Sequence, residues 1–112
     1  MESILTSIKK LLGIVEEYDH FDQDIIMHIN SALSTLIQLG IGPKDGFVIK
    51  DCYAVWSQFL GDDSRLEFVK TYVYMRVRLA FDPPSSSAMI DAINRQISEL
   101  EWRINVAAES NH

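Results

Sequence analysis

The chain is predicted to be all-α: a small helical bundle containing a long antiparallel helical hairpin joined at a Pro-Pro corner. Three observations carry this. Apolar residues recur at steps of three and four along four stretches of the sequence. Glycine, proline and helix-capping residues punctuate the boundaries between them. The one extended candidate, Phe47-Val48-Ile49, is too short to build a sheet. At 112 residues the chain is read as a single domain, 1–112. A domain of that size buries roughly 65% of the surface its unfolded chain exposes, which is enough for a modest core.

The first helix is expected over Ser3 to Leu12, with Ile4, Leu5, Ile8, Leu11 and Leu12 at helical spacing and Gly13 as its stop. An acidic loop follows. The second helix opens at Asp22, read as the N-cap, with Asp24 in the first turn where the helix dipole favours an anion. Phe21 and Ile26 stand at the two positions of a hydrophobic staple. Ile25, Ile29, Ala32, Leu36 and Leu39 form its stripe, widened by Ile26, Leu33 and Ile37, and Gly40, Gly42 and Pro43 end it. Asp45-Gly46 marks a turn. Asp51 is expected to cap a short helix, roughly Tyr53 to Leu60, closed by Gly61.

The next helix begins at Ser64-Arg65-Leu66-Glu67, an S-x-x-E capping box, and runs through Leu66, Val69, Val73, Val77 and Ala80. Its many β-branched and aromatic residues favour a strand by propensity, but length and period decide for helix. Pro83 then drives Asp82 out of the α region and Pro84 prolongs the break, while Ser85, Ser86 or Ser87 offers the next N-cap. In the last helix Ile90, Ile93, Ile97, Leu100 and Ile104 form a coiled-coil-like seam. So short a connection makes the two helices antiparallel neighbours.

Composition narrows the function. The 47% hydrophobic and 23% charged content is ordinary for a soluble globular protein. No apolar run approaches the ~20 residues of a membrane span. The N-terminal MESILTSIKKLLG places its lysines within and after the apolar residues, unlike a secretory signal. A cytosolic, soluble chain is expected. Net charge is −6, and Glu16, Glu17, Asp19, Asp22 and Asp24 contribute five negative charges with no Lys or Arg between Gly13 and Asp24. That balance disfavours wrapping DNA on the outer surface.

Groups able to do chemistry are sparse. Asp24 and His28, at i and i+4 with His20 nearby, could present a metal on one helix face; an exposed acidic first turn beside a histidine is the plainer account. Glu16-Glu17-Tyr18-Asp19-His20 approaches the E-E-x-x-E of helical nucleotide pyrophosphohydrolases, but His20 replaces the third carboxylate and no helical E-x-x-D follows. Cys52, the only cysteine, excludes an internal disulfide and reads as a semi-buried small apolar residue. The three serines lack a G-x-S-x-G setting. No catalytic residue, cofactor or metal is therefore assigned.

Large aromatic groups point elsewhere. Tyr72 and Tyr74 lie about 200° apart on their helix, as do Arg76 and Arg78, so one intramolecular core is not expected to bury them all. Tyr74, Arg76, Arg78 and Trp102 are the residues expected at a protein–protein interface.

The stretches "FDQDIIMHINSALSTLIQLGIGP", "WSQFLGDD" and "VKTYVYMRVRLAFDPPSSSAMIDAINRQISELEWRINVAAE" resemble the small head–tail connector (adaptor) proteins of tailed bacteriophages and prophages, over about Ile8 to Glu109. The resemblance implies a mostly helical structural protein, not an enzyme, located at the head–tail junction of the virion and made in the host cytoplasm. It implies a homo-oligomeric ring beneath the portal protein that extends the DNA channel and docks the next neck or tail component. DNA would pass through without specific binding, and an acidic lumen would suit that passage. A small metal-dependent nucleotide hydrolase and a DNA-binding packaging accessory are the alternatives.

Overall fold

The computed structural model describes residues 2–110 and is all-α, as expected, with five helices in the order α1 (Ile4–Leu12), α2 (Asp22–Gln38), α3 (Trp56–Leu60), α4 (Leu66–Phe81) and α5 (Ser87–Ser110). The central element is α4: α2 makes the broadest contact with it, and α1 and α5 also pack on it. Ser3 and Val55 form an isolated antiparallel bridge, and there are no strands among the described residues.

Helix α1 starts at Ser3, whose hydroxyl accepts a hydrogen bond from Thr6 N at 2.9 Å, and stops at Gly13 in the left-handed region (φ 81°). Ile4, Leu5 and Ile8 are buried as expected, whereas Leu11, expected in the same stripe, is exposed. Asp22 is the first residue of α2 rather than its N-cap; Phe21 occupies the cap position and makes no side-chain cap bond. The Asp22 carboxylate instead meets the buried Lys9 ammonium at 2.8 Å. Phe21 packs edge-on against Phe81 at the far end of α4, 5.3 Å between ring centroids. Of the predicted inner stripe of α2, Ile25, Ile26, Ile29, Ala32, Leu33 and Leu36 are buried, while Ile37 and Leu39 are half-buried.

After α2 the chain turns at Gly42 (φ 97°), where a Cβ would stand 2.6 Å from the Phe59 ring, so glycine is required for closeness as well as conformation. Residues 47–49 form no strand. Asn30 supplies the missing partner: its Oδ1 accepts from Ile49 N at 2.8 Å and its Nδ2 donates to Ile49 O at 3.0 Å. The short helix is shorter than expected. The Asp51 carboxylate accepts from Tyr53 N at 2.9 Å in a local turn, and α3 begins only at Trp56, with Gly61 as its C-cap. Trp56 is buried and its indole N–H donates to Ser7 Oγ at 2.8 Å, tying α3 to α1. Cys52 is exposed, correcting its semi-buried reading.

The capping box at Ser64 does not form. Asp63, one residue earlier, accepts from Arg65 N at 2.9 Å and pairs with the Arg65 side chain at 2.7 Å, fixing the turn before α4. Those hydrogen bonds from Arg65 hold the Asp63 carboxyl below its ordinary range. Val69, Val73 and Val77 are buried as predicted; Ala80 is exposed. Asp82 leaves the helix (φ −146°, ψ 68°) before Pro83, and residues 82–86 join α4 to α5. Ser86 is the serine that caps α5: its Oγ accepts from Met89 N at 3.4 Å and its carbonyl from Ile90 N at 3.1 Å.

Candidate protein interface

Helices α4 and α5 run antiparallel, with Tyr72 level with Glu101 and Arg76 and Leu79 lining a shallow cleft with Asn94 and Ile97. The predicted seam faces α4: Ile97 and Ile104 are buried, and Ile90, Ile93 and Leu100 are half-buried. The opposite side of α5 carries Trp102 at 64% exposure and Val106 at 41%, one turn apart. At about 100° per residue, Arg95 falls on that same outward side. An apolar pair of this size, left on a helix whose seam is already used, is surface available to a second chain.

The four residues expected at an interface separate into three environments. Trp102 is the exposed one. Arg76 is spent inside the chain: its Nη1 donates to Tyr72 OH at 2.9 Å and to Thr35 Oγ1 at 3.2 Å, with the guanidinium 5.8 Å from the centre of the Tyr72 ring. Tyr74 is half-buried against the core, and its hydroxyl accepts from Arg78 Nη1 at 3.0 Å. Arg78 Nε is buried without a hydrogen-bond partner. Of the two tyrosines, only one is fully taken into the core, as their separation of about 200° on the helix implied. Tyr72 is wholly buried and Tyr74 half-buried, because α4 lies in the middle of the bundle and is covered from more than one side.

Tyr72 anchors the hairpin. Its hydroxyl donates to Glu101 at 2.7 Å while accepting from Arg76, so a single buried phenol joins α5, α4 and, through Arg76, α2. Burial, and next the Glu101 carboxylate, push its pKa up to about 12. Sequence reading missed Glu101 as its partner and Val106 as the neighbour of Trp102. The second was within reach, since residues 102 and 106 fall opposite the Ile97 seam on a helical wheel.

A second surface is the acidic loop. Lys9, 2% exposed, donates to Glu16 O at 2.9 Å and Tyr18 O at 2.8 Å, and meets Asp22 Oδ1 as an ionic contact without an aligned hydrogen bond. Around this buried cation the loop displays Val15 at 65% exposure and Tyr18 at 48%, with Tyr18 and His20 both against Phe21. Glu16 and Glu17 lie outside any helix, so they do not form the helical carboxylate face that the E-E-x-x-E motif uses. Among the described residues, His20, Asp24 and His28 are not gathered into a group of three able to hold a metal ion. No helix among them is long and apolar enough to cross a membrane.

No curated protein matches the chain. No solved structure matches it either. The model of one protein family, described as phage connector protein, matches residues 4–111, nearly the whole chain. A helical bundle with an outward-facing aromatic surface, the connector-like stretches of its sequence and a family match from end to end lead to one conclusion: the chain belongs to the phage connector proteins, structural components of the head–tail junction.

Proposed function

We propose that the chain, as one domain spanning 1–112, is a subunit of a homo-oligomeric ring seated under the phage portal protein. The ring extends the DNA channel and offers its far side to the next neck or tail component. The observation that carries this reading is the outward face of α5, where Trp102 and Val106 stand exposed on a helix that already buries its opposite side. Identical subunits meeting through two different surfaces close into a ring when the rotation between them divides the circle. Trp102 is the anchor, Tyr74 and Arg78 contribute from the edge of α4, and Arg76 acts by holding α5 in position.

DNA passes without specific binding. The net charge of −6 supports this, since a lumen that attracted phosphates would retain the strand. The subunit is made in the host cytoplasm and ends in the virion. We read it as having no turnover of its own: Asp22 is already engaged by Lys9, and the remaining carboxylates of the loop are not arrayed on a helix.

Light scattering on the purified protein, alone at high concentration and with its portal, tests the reading. The expected result is a mass that rises with concentration or on the portal, and that Trp102→Ala returns to the monomer. A wild-type protein that stays monomeric and never co-purifies with a portal would defeat it.

A further inference from the structure

The face bearing Trp102 has a counterpart elsewhere on the same chain. A cavity of about 250 Å³ opens between Glu2, just ahead of α1, the helix α3 and the start of α4. Its walls are Trp56, Leu60 and Leu66, and Glu2, Asp63 and Lys70 stand at its polar edge. Small-molecule sites usually run to about 300–1,000 Å³. An apolar cavity of ~150 Å³ already admits benzene. This one therefore suits a single aromatic side chain of indole size better than a free ligand.

We infer that the cavity receives Trp102 of a neighbouring copy, so that each subunit carries a knob on one flank and a hole on the other. The inference rests on the ring reading and names both halves of its contact. Placement supports it. Helix α5 packs on the side of α4 bearing Tyr72, Met75 and Leu79, whereas the cavity involves Leu66 and Lys70. At about 100° per residue these two sets lie on roughly opposite sides of α4. Trp102 points outward from the first side and the cavity opens on the second.

The two features are also level. Glu101, next to Trp102, meets Tyr72, and Lys70 at the cavity edge is two residues from Tyr72. For copies standing side by side with their α4 helices parallel, this contact carries little axial rise. Rings need that condition, whereas a steady rise winds a filament.

Charge does not oppose the contact. At the cavity edge Glu2 is paired with Lys10 and Lys70 and Asp63 with Arg65, and beside Trp102 the Arg103 guanidinium is paired with Glu99, so these charges are already balanced within each chain.

Mixing two defective chains tests this. Trp102→Ala removes the knob and leaves the hole; Ser57→Trp, at an exposed residue of the cavity mouth, blocks the hole and leaves the knob. Each variant alone should need at least about 30-fold more protein to assemble, the equivalent of a 2 kcal/mol anchor. Mixed at a concentration where the wild type forms rings, they should give heterodimers and nothing larger, because only one productive contact remains. That heterodimer also proves both chains folded. Wild-type rings with either variant assembling normally overturn the inference and leave the ring reading standing. So does a Ser57→Trp chain that forms rings but no longer binds the portal, which assigns the cavity to another protein. A wild type that never assembles, alone or on the portal, overturns both.

Discussion

Helices α1 and α5 solve the same problem, attachment to α4, in opposite ways. In nine residues α1 buries Ile4, Leu5, Ser7, Ile8 and Lys9, and it gains Trp56 and the acidic loop as further partners. With 24 residues, α5 buries only Ile97 and Ile104 among its described side chains, and α4 is the one helix it packs against broadly. The shorter helix is embedded; the longer one is mounted. Stability and display have been divided between them. The N-terminal layer with α4 holds the fold, and α5 uses part of its length to present a surface.

The sharpest way to break that contrast is to make equal deletions in the two regions. Leu36→Ala, in the fully buried stripe of α2, should cost about 3–5 kcal/mol in urea unfolding, because its surroundings are packed on every side. Ile97→Ala, in the one-sided seam, should cost about 2 kcal/mol or less, since the site can relax toward solvent. Equal losses would mean that α5 is as deeply integrated as α2.

Lys9→Ala comes next. It leaves two carbonyls and Asp22 facing an uncompensated space, and breaking such a pair costs about 3 kcal/mol, at the lower end of the usual range because Asp22 is 23% exposed. Amide exchange should show residues 14–21 losing protection while α5 keeps its own. Loss of protection confined to α5 would reverse the division drawn above.

Tyr72→Phe should cost about 1–2 kcal/mol, since the ring still packs and only the hydroxyl between Arg76 and Glu101 is lost. It also has a pH signature. With a folded pKa of about 12 against an ordinary 10, the folded chain keeps this proton where the unfolded chain has released it. The stability of wild type relative to Tyr72→Phe should be constant below pH 10 and fall between pH 10 and 12. Parallel curves across that window would show that the phenol is not held as described.

Most of the helical layout was legible because it rests on local signals: periodic apolar residues, Gly13 and Gly61 at helix ends, and Pro83 after α4. The errors fall where a local rule competed with a distant partner. Asp22 looked like an N-cap and is claimed by Lys9; Ser64 looked like half of a capping box and was displaced by Asp63 with Arg65. Cys52 looked semi-buried, but the loop holding it turns outward. Trp102, expected at an interface, is exposed, whereas the internal use of Arg76 was not legible, because Thr35 lies 41 residues away. The cavity was invisible for the same reason, being assembled from Glu2, α3 and its following turn, and the start of α4 with no motif in any of them.

The Asn30 clamp has a consequence for how this chain can change. Both of its bonds go to the main chain of Ile49, so they do not depend on which side chains the segment around it carries. Val48, Lys50 and Tyr53 project outward from an anchored stretch without being needed to anchor it. Lys9 does the same for the acidic loop through the carbonyls of Glu16 and Tyr18. Both loops are thus moorings indifferent to their cargo: the outward residues can be exchanged for others, and a new partner accommodated, without renegotiating the fold beneath.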